Sequence, residues 1–172
     1  MEFNVAQLMK ERVGATRRYE VHDDIEQMDA ELVALDPLNG EVRLLRTPEG
    51  ILVTGSLETT LGLVCDRCLK PFARRVEIEL ADEFKPSIDI VSGASLPVLP
   101  EDEGNLVDEH HILDLHEVVR QRLLIGQPPH PLCADACQGL CPTCGKNLND
   151  GGCDCAAEDA DPRWAALRQL LR

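Results

Sequence analysis

The sequence predicts an α+β protein whose front half is an antiparallel β-sheet or small β-barrel. A helix, a cysteine-rich metal knuckle and a short C-terminal helix should follow. This prediction rests on polar-apolar alternation in the front half, a helical repeat after it and a tail dense in cysteines. We expect an antiparallel β domain over 1–84 and an acidic, proline-containing linker or loop over 85–111. A helical, cysteine-rich region over 112–172 should bind metal and pack on the β domain.

The clearest strand is predicted from Ile51 to Val64, where apolar and polar side chains alternate. It leads directly into Cys65-Asp-Arg-Cys68, and Pro71 follows the second cysteine. A second alternating run then returns through Phe72, so that the CxxC pair should occupy the tip of a long antiparallel hairpin.

Shorter strands are predicted upstream of this hairpin. Residues 28–34 alternate with a period of two, and Asp36-Pro-Leu-Asn-Gly40 is typical of a turn. Val42 and Leu44 mark the next strand, and Thr47-Pro-Glu-Gly50 the turn after it. The front half therefore predicts a meander of antiparallel strands.

Two helices are predicted in the back half. The first has Asp114 as N-cap and Glu117 at the capping-box position, and Gly126 with two prolines ends it. Its buried stripe consists of Leu115, Val118, Val119 and Leu123. The second follows Asp161-Pro162, and its face around Trp164 either docks on the protein body or recognises a partner.

Composition narrows the class of protein. The chain has 172 residues, a hydrophobic content of 44% and a formal net charge of −14. No apolar run approaches membrane-spanning length and no signal peptide opens the chain, so we expect a soluble, cytoplasmic protein without a membrane partner. The acidity repels phosphate backbones at long range and favours basic proteins, or serves solubility alone.

The cysteine tail predicts a metal centre. Cys141 and Cys144 are two residues apart and Gly145 follows, which is the form of a metal knuckle. Cys153 and Cys155 return after a turn-rich spacer. Four thiolates from two short turns form a tetrahedral cage for zinc, or for iron of the rubredoxin kind.

The other four cysteines suggest a second site. Cys65 and Cys68 repeat the two-residue spacing, and Cys133 and Cys137 are the pair that remains. His130 could replace one of these cysteines. We therefore expect one or two bound ions.

Other roles for the cysteines are less consistent with the sequence. Disulfides are rare in cytosolic proteins. A redox CxxC should open a helix, whereas Pro71 suits a hairpin tip. The spacings match no common ferredoxin pattern, which disfavours an iron–sulfur cluster.

Basic residues concentrate around the first CxxC pair, with Asp66 opposing them. They are Arg67, Lys70, Arg74 and Arg75. They either bind RNA phosphates at a turn that metal would hold rigid, or neutralise the nearby thiolates.

The sequence offers little support for an enzyme. A catalytic zinc keeps an open position, whereas these cages consist of cysteine alone. His110 and His111 are adjacent and cannot share a helical face, and His116 is predicted on the surface. We expect no enzymatic activity.

The chain resembles the YceD-like family of large ribosomal RNA subunit accumulation proteins. The resemblance is carried by the CDRCLKPF hairpin tip, the PLCADACQGLCPTCGKNLN tail, the CDC pair and the DPRWAAL segment. The resemblance implies a role in producing or stabilising large-subunit ribosomal RNA, and it brings no catalytic motif.

Two functional hypotheses follow. One is a ribosome-biogenesis factor that binds large-subunit ribosomal RNA or its assembly intermediate. The other is an acidic chaperone, or metal-supplying module, for a basic zinc-bearing ribosomal protein.

Overall fold

The computed structural model describes residues 1–25, 27–97 and 104–155. Within them, one seven-stranded sheet has the order β1-β7-β6-β5-β4-β3-β2. The elements in chain order are β1 (Glu2–Asn4), α1 (Ala6–Lys10), β2 (Thr16–Asp23), β3 (Leu38–Arg46), β4 (Ile51–Val64), β5 (Pro71–Pro86), β6 (Leu106–Val107), β7 (Ile112–Asp114), α2 (His116–Gly126) and a 3₁₀ turn, η1 (Leu148–Asp150).

The strands β2 to β5 form an antiparallel meander, as the alternation predicts. β4 spans the predicted residues, and β5 pairs with it from Ile51↔Phe84 to Val64↔Pro71. The CxxC pair therefore lies at the tip of a long hairpin, as predicted. The sheet is mixed because β5 pairs with β6 in parallel.

The sheet curls towards closure. Its edge strands β1 and β2 approach each other, with the Phe3 and Tyr19 ring centroids 5.0 Å apart. No backbone ladder joins these edges in the described residues. The front half is thus a curled sheet, between the predicted alternatives of a sheet and a small barrel.

The core fills the inner face of the curl. Alternate residues of β3, β4 and β5 are buried there, including Val42, Leu57 and Ile78. α2 packs against β5 and contributes Val119 and Leu123. This burial is the main source of stability expected for a sheet with one solvated face.

The prediction of a strand over residues 28–34 is wrong. The side chain of Asp29 accepts a hydrogen bond from the backbone N–H of Glu31, forming a local turn that competes with strand pairing. Pairing with β4 is limited to a bridge from Ala34 to Leu61 and its neighbouring hydrogen bonds.

The turn predicted over residues 36–40 ends earlier, because β3 already begins at Leu38. Gly40 lies inside the strand, where a Cβ atom would come within 2.2 Å of the Ser56 carbonyl oxygen. The glycine therefore permits close strand packing at this position.

The helix α2 begins one residue later than its predicted cap implies. Leu115 is the N-cap residue, and the Asp114 carboxylate accepts a hydrogen bond from the His116 N–H. Glu117 binds Arg120 and Gln121, so it does not close a capping box. Gly126 ends the helix as predicted.

The segment 85–111, predicted to be a linker or loop, contributes β6 to the sheet. Its residues 98–103 lie outside the described residues. The predicted C-terminal helix with Trp164 also lies outside them.

Candidate metal centres and the basic hairpin tip

The eight cysteines lie in two compact groups. Within each group every Sγ atom lies within 4.8 Å of the others. Site 1 is defined by Cys65, Cys68, Cys133 and Cys137, and site 2 by Cys141, Cys144, Cys153 and Cys155. These are the two sets that the spacing suggested.

Site 1 joins the hairpin tip to the cysteine tail. The Cys65 N–H donates to the Lys70 carbonyl and the Leu69 N–H donates to the Cys65 carbonyl, which closes a tight knuckle. The tail reaches this knuckle through a hydrogen bond from the Asp66 N–H to the Pro131 carbonyl. Cys133 and Cys137 follow directly from that contact.

The sulfur distances in site 1 fit a metal ion. The Cys65 and Cys137 Sγ atoms are 3.8 Å apart, and those of Cys68 and Cys133 are 3.6 Å apart. A tetrahedron with zinc–sulfur bonds of about 2.3 Å has sulfur–sulfur edges of about 3.8 Å. A disulfide requires about 2.05 Å, and all eight cysteines are free thiols. The donor set and its spacing therefore fit zinc, and both clusters could hold a metal ion.

Site 1 is enclosed by protein. Cys65, Cys68 and Cys137 are at most 5% exposed, and Phe72, Leu132 and Leu140 pack around them. Four thiolates in such a place repel one another strongly unless a cation compensates them. The apolar enclosure therefore favours a structural ion over an exchangeable one.

The thiols of site 1 differ in acidity. Backbone hydrogen bonds, first from Cys133 and then from Cys68 and Arg67, lower the pKa of Cys65 to about 6 despite its burial. The pKa of Cys133 is raised to about 12 by its contact with the Cys68 sulfur and by burial. Backbone N–H groups directed at sulfur are what a metal-bound thiolate requires.

Site 2 repeats the knuckle. The Cys141 N–H donates to the Lys146 carbonyl at 2.8 Å, and the Gly145 N–H donates to the Cys141 carbonyl at 2.9 Å. The Lys146 ammonium donates to the Gly152 carbonyl, which draws in the second cysteine pair. Backbone hydrogen bonds from Cys144 and Thr143 lower the pKa of Cys141 to about 6.

Asn149 links the two sites. Its side-chain Nδ2 donates to the Cys137 sulfur at 3.3 Å, and its Oδ1 accepts from the Gln138 N–H at 2.8 Å. By its position in the sequence, Asn149 belongs to the turn-rich spacer between Cys144 and Cys153. Its contact with Cys137 forms only in the folded chain, and the local sequence contains no signal for it.

His130 lies beside site 1 but outside its sulfur cluster. Its Nδ1 atom is 3.1 Å from the Asp66 carboxylate, and the four cysteines form the compact set without it. His110 similarly lies against Asp108. Across residues 1–25, 27–97 and 104–155, the groups spaced to hold a metal are the two cysteine sets.

The four predicted RNA-binding residues do not form one patch. Arg67 and Lys70 lie in the first knuckle, and the Arg67 guanidinium donates to the Cys137 carbonyl. Arg74 and Arg75 are adjacent in β5 and therefore lie on opposite faces of the sheet. Arg75 forms an ion pair with Glu58. Lys70 and Arg74 are exposed and have no side-chain partner among the described residues.

Among the described residues, no helix has the length and apolar character needed to cross a membrane.

Comparison with known proteins identifies the family. A family model described as large ribosomal RNA subunit accumulation protein YceD matches residues 53–171, which include most of β4 and both cysteine sites. The chain belongs to the YceD family. This confirms the resemblance carried by the CxxC hairpin tip and the cysteine tail.

Three relatives of this YceD-family chain cover between 78% and 99% of it. An uncharacterized protein of Mycobacterium tuberculosis is 34% identical over 179 residues, covering 99% of this chain and 81% of the relative. An uncharacterized Mycobacterium leprae protein is 28% identical, covering 82% and 64% respectively. The chloroplastic large ribosomal RNA subunit accumulation protein YCED homolog 1 of Arabidopsis thaliana is 23% identical, covering 78% and 48%. No solved structure matches.

Proposed function

We propose that this protein is a non-enzymatic ribosome-biogenesis factor that supports accumulation of large-subunit, 23S-type ribosomal RNA. It would bind that RNA, a large-subunit ribosomal protein, or both, in an assembly intermediate. The observation that carries the proposal is the YceD family match, because the matched residues include the hairpin tip and both cysteine clusters. A cytoplasmic location follows from this role and stays a prediction.

Zinc at the two clusters would serve structure in this proposal. Each cluster supplies four cysteine sulfurs, which would fill the four positions of a structural zinc ion and leave none for substrate or water. An ion in site 1 would hold the hairpin tip against the tail. The resulting rigid knuckle would present Arg67 and Lys70 with little conformational freedom to lose on binding.

The charge distribution supports RNA contact at this tip. The chain carries a net charge of −14, yet exposed Lys70 and Arg74 are uncompensated among the described residues. Cations free of internal partners are the groups that can neutralise RNA phosphates. Arg75 is less suited to that role because it is paired with Glu58.

A binding measurement tests this proposal. The Lys70→Gln/Arg74→Gln variant should bind in-vitro-transcribed 23S-type RNA more weakly than the wild type. Its slope of log affinity against log salt should fall by roughly one per lost phosphate contact. The Arg12→Gln/Arg43→Gln variant is the control, because it removes two exposed arginines elsewhere. Equal losses in both variants would contradict a specific RNA surface at the tip.

The second candidate is an acidic chaperone or metal-supplying module for a basic zinc-bearing ribosomal protein. It is favoured by the outer sheet face, where Glu20 lies opposite Glu41 and Glu58 lies opposite Glu77. Arg18 and Arg75 form ion pairs with only one acid of each pair, Glu41 and Glu58. Like charges directly opposite each other destabilise a sheet, so a basic partner would relieve them.

Capture of the tagged protein from lysate separates the two candidates. The chaperone predicts one basic ribosomal protein that remains after nuclease treatment and dissociates in salt. The RNA-binding factor predicts large-subunit RNA that nuclease removes. Transfer of zinc to the metal-free partner would support the metal-supplying form, and no transfer would exclude it.

A further inference from the structure

The two CxxC knuckles have the same backbone design. In Cys65–Lys70 and in Cys141–Lys146, the first cysteine N–H donates to the lysine carbonyl. In both, the N–H of the fifth residue donates to the first cysteine carbonyl, at 2.9 Å. Because their backbone hydrogen bonds match, the two knuckles can be compared residue by residue.

The fifth residue differs between them. Gly145 occupies this position in the second knuckle with a φ of 72°, which suits glycine. Leu69 occupies it in the first knuckle with a φ of 57°. The left-handed region is unfavourable for a leucine because its Cβ atom crowds the backbone.

The hydrogen bond from the Leu69 N–H to the Cys65 carbonyl holds this conformation, but no apolar packing in the described residues offsets its cost. Its side chain is 63% exposed, and it belongs to neither buried apolar cluster. A strained, exposed apolar residue at a rigid turn is a reason to look for a function outside the fold.

The sixth residue differs in its use. The Lys146 ammonium donates to the Gly152 carbonyl and so serves site 2. Lys70, the equivalent residue, is exposed and has no side-chain partner in the described part of the chain. The first knuckle thus presents an apolar side chain and a cation that no described side chain pairs with, where the second knuckle has glycine and an internally bound lysine.

We propose that Leu69 is a contact residue for large-subunit ribosomal RNA. Its side chain would pack on the face of an unstacked base while Lys70 binds a neighbouring phosphate. RNA is favoured over a protein partner because Lys70, a cation without a side-chain partner in the described residues, is adjacent to Leu69 on a chain of net charge −14. Single-stranded RNA offers apolar base faces and phosphates together. This inference rests on the proposed function and assigns its binding point.

Leu69→Gly tests the proposal because it gives the first knuckle the residue that the second already has. Zinc content and thermal stability should be equal to the wild type or higher, since the strained Cβ atom is removed. Affinity for in-vitro-transcribed 23S-type RNA should fall roughly tenfold or more, the loss expected for one leucine-sized apolar contact. Small-subunit ribosomal RNA serves as the competitor.

Leu69→Asn is the second variant, because asparagine tolerates positive φ while removing the apolar contact. It should lose RNA affinity as Leu69→Gly does. Val91→Ser is the matched control, since Val91 is 90% exposed outside the knuckles, and it should bind like the wild type. Neither Leu69 variant should change the salt slope, whereas Lys70→Gln should lower it by roughly one.

The outcomes separate the inference from the proposed function. Wild-type affinity in both Leu69 variants, with a loss in Lys70→Gln, would overturn the role of Leu69 and leave the RNA-binding factor standing. Wild-type protein without preference for 23S-type RNA would overturn both. Loss of a nuclease-resistant ribosomal protein in the Leu69 variants, with RNA affinity unchanged, would assign the contact to protein and overturn the inference.

Discussion

Asn149 contacts candidate metal site 1 from the spacer of candidate metal site 2. It donates to the Cys137 sulfur of site 1 and accepts from the Gln138 N–H, while its own backbone lies in the spacer of site 2. A hydrogen bond to a ligating sulfur orients the ligand and tunes its charge. We therefore expect the amide to support site 1 more than site 2.

Replacing Asn149 should weaken zinc binding at site 1. In Asn149→Ala, Cys137 loses its amide donor, and affinity at one of two zinc sites should fall about 10–100-fold, as for other outer-shell ligand partners. Competition with a chromophoric chelator measures this. Asp150→Ala, at the neighbouring exposed residue, should keep both affinities. Equal zinc affinity in both variants would contradict the role of Asn149.

Glu117 should remain ionised at unusually low pH. The side-chain hydrogen bonds from Arg120 and then Gln121 lower its pKa from the usual 4.5 to about 2. A lowered carboxyl pKa stabilises the fold above pH 4.5, and this contribution is lost as the pH falls from 4.5 towards 2. An NMR titration from pH 7 to 4 should therefore show little protonation of Glu117.

Arg120→Gln should raise the pKa of Glu117 towards its ordinary value, because it removes the guanidinium that donates to both carboxylate oxygens. Arg122→Gln is the control, since Arg122 pairs with Asp82 instead. If Glu117 titrated alike in the two variants, its low pKa would not arise from Arg120.

At the scale of the elements, α2 packs on the inner face of the sheet. Leu123 is fully buried against the core, whereas Ile125 is 78% exposed two residues later. Beyond them, a Cβ atom on Gly126 would lie 3.3 Å from the Val76 side chain, so the helix end approaches β5 closely. The helix therefore depends on one buried stripe for its position.

Leu123→Ala should lower the free energy of unfolding by about 2–5 kcal/mol, because it removes buried methyl groups and leaves a cavity under α2. Ile125→Ala deletes a similar side chain in solvent and should change it by less than about 0.5 kcal/mol. Urea unfolding followed by circular dichroism measures both. Similar losses would mean that Ile125 is covered in solution.

The β4–β5 hairpin places site 1 next to the core. Phe72, one residue into the returning strand, packs against both the main apolar cluster and the cluster around the site 1 cysteines. A change of geometry at the metal site should therefore be felt by the end of the hairpin. The Val64 end of β4 leads into site 1, whereas the Ile51 end follows the short turn at Thr47–Gly50.

For the whole molecule, the two candidate metal sites connect different parts of the chain. Site 1 joins residues separated in the chain by β5, β6, β7 and α2, whereas site 2 closes a loop within residues 141–155. Site 1 is largely buried, but Cys144 of site 2 is exposed. Loss of an ion from site 1 would leave buried thiolates without charge compensation until they take up protons.

Cys137→Ser and Cys155→Ser should each reduce bound zinc from two ions to one. Cys137→Ser should also lower the melting temperature and the hydrogen-exchange protection of residues 65–70, because the tail would separate from the tip. Cys155→Ser should leave that protection intact. Protection that falls equally in both variants would contradict the separate roles of the sites.

Local sequence was sufficient for the features that depend on neighbouring residues. The alternation of β4 determined its length and faces, because side chains in a strand project alternately. The two-residue cysteine spacing predicted both knuckles, since such a spacing places two sulfurs on one turn. The buried stripe of α2 followed from its helical repeat.

The remaining features depend on contacts between residues far apart in the chain. Residues 28–34 have a strand-like pattern, but the Asp29 side chain forms a turn there instead. Arg75 is paired because β4 brings Glu58 close to it, while Lys70 remains without a partner in the described residues. Site 1 assembles because the Asp66 N–H binds the Pro131 carbonyl, which carries Cys133 and Cys137 to the hairpin tip. Local periodicity determines the elements, but the packing of distant segments determines which charges and sulfurs meet.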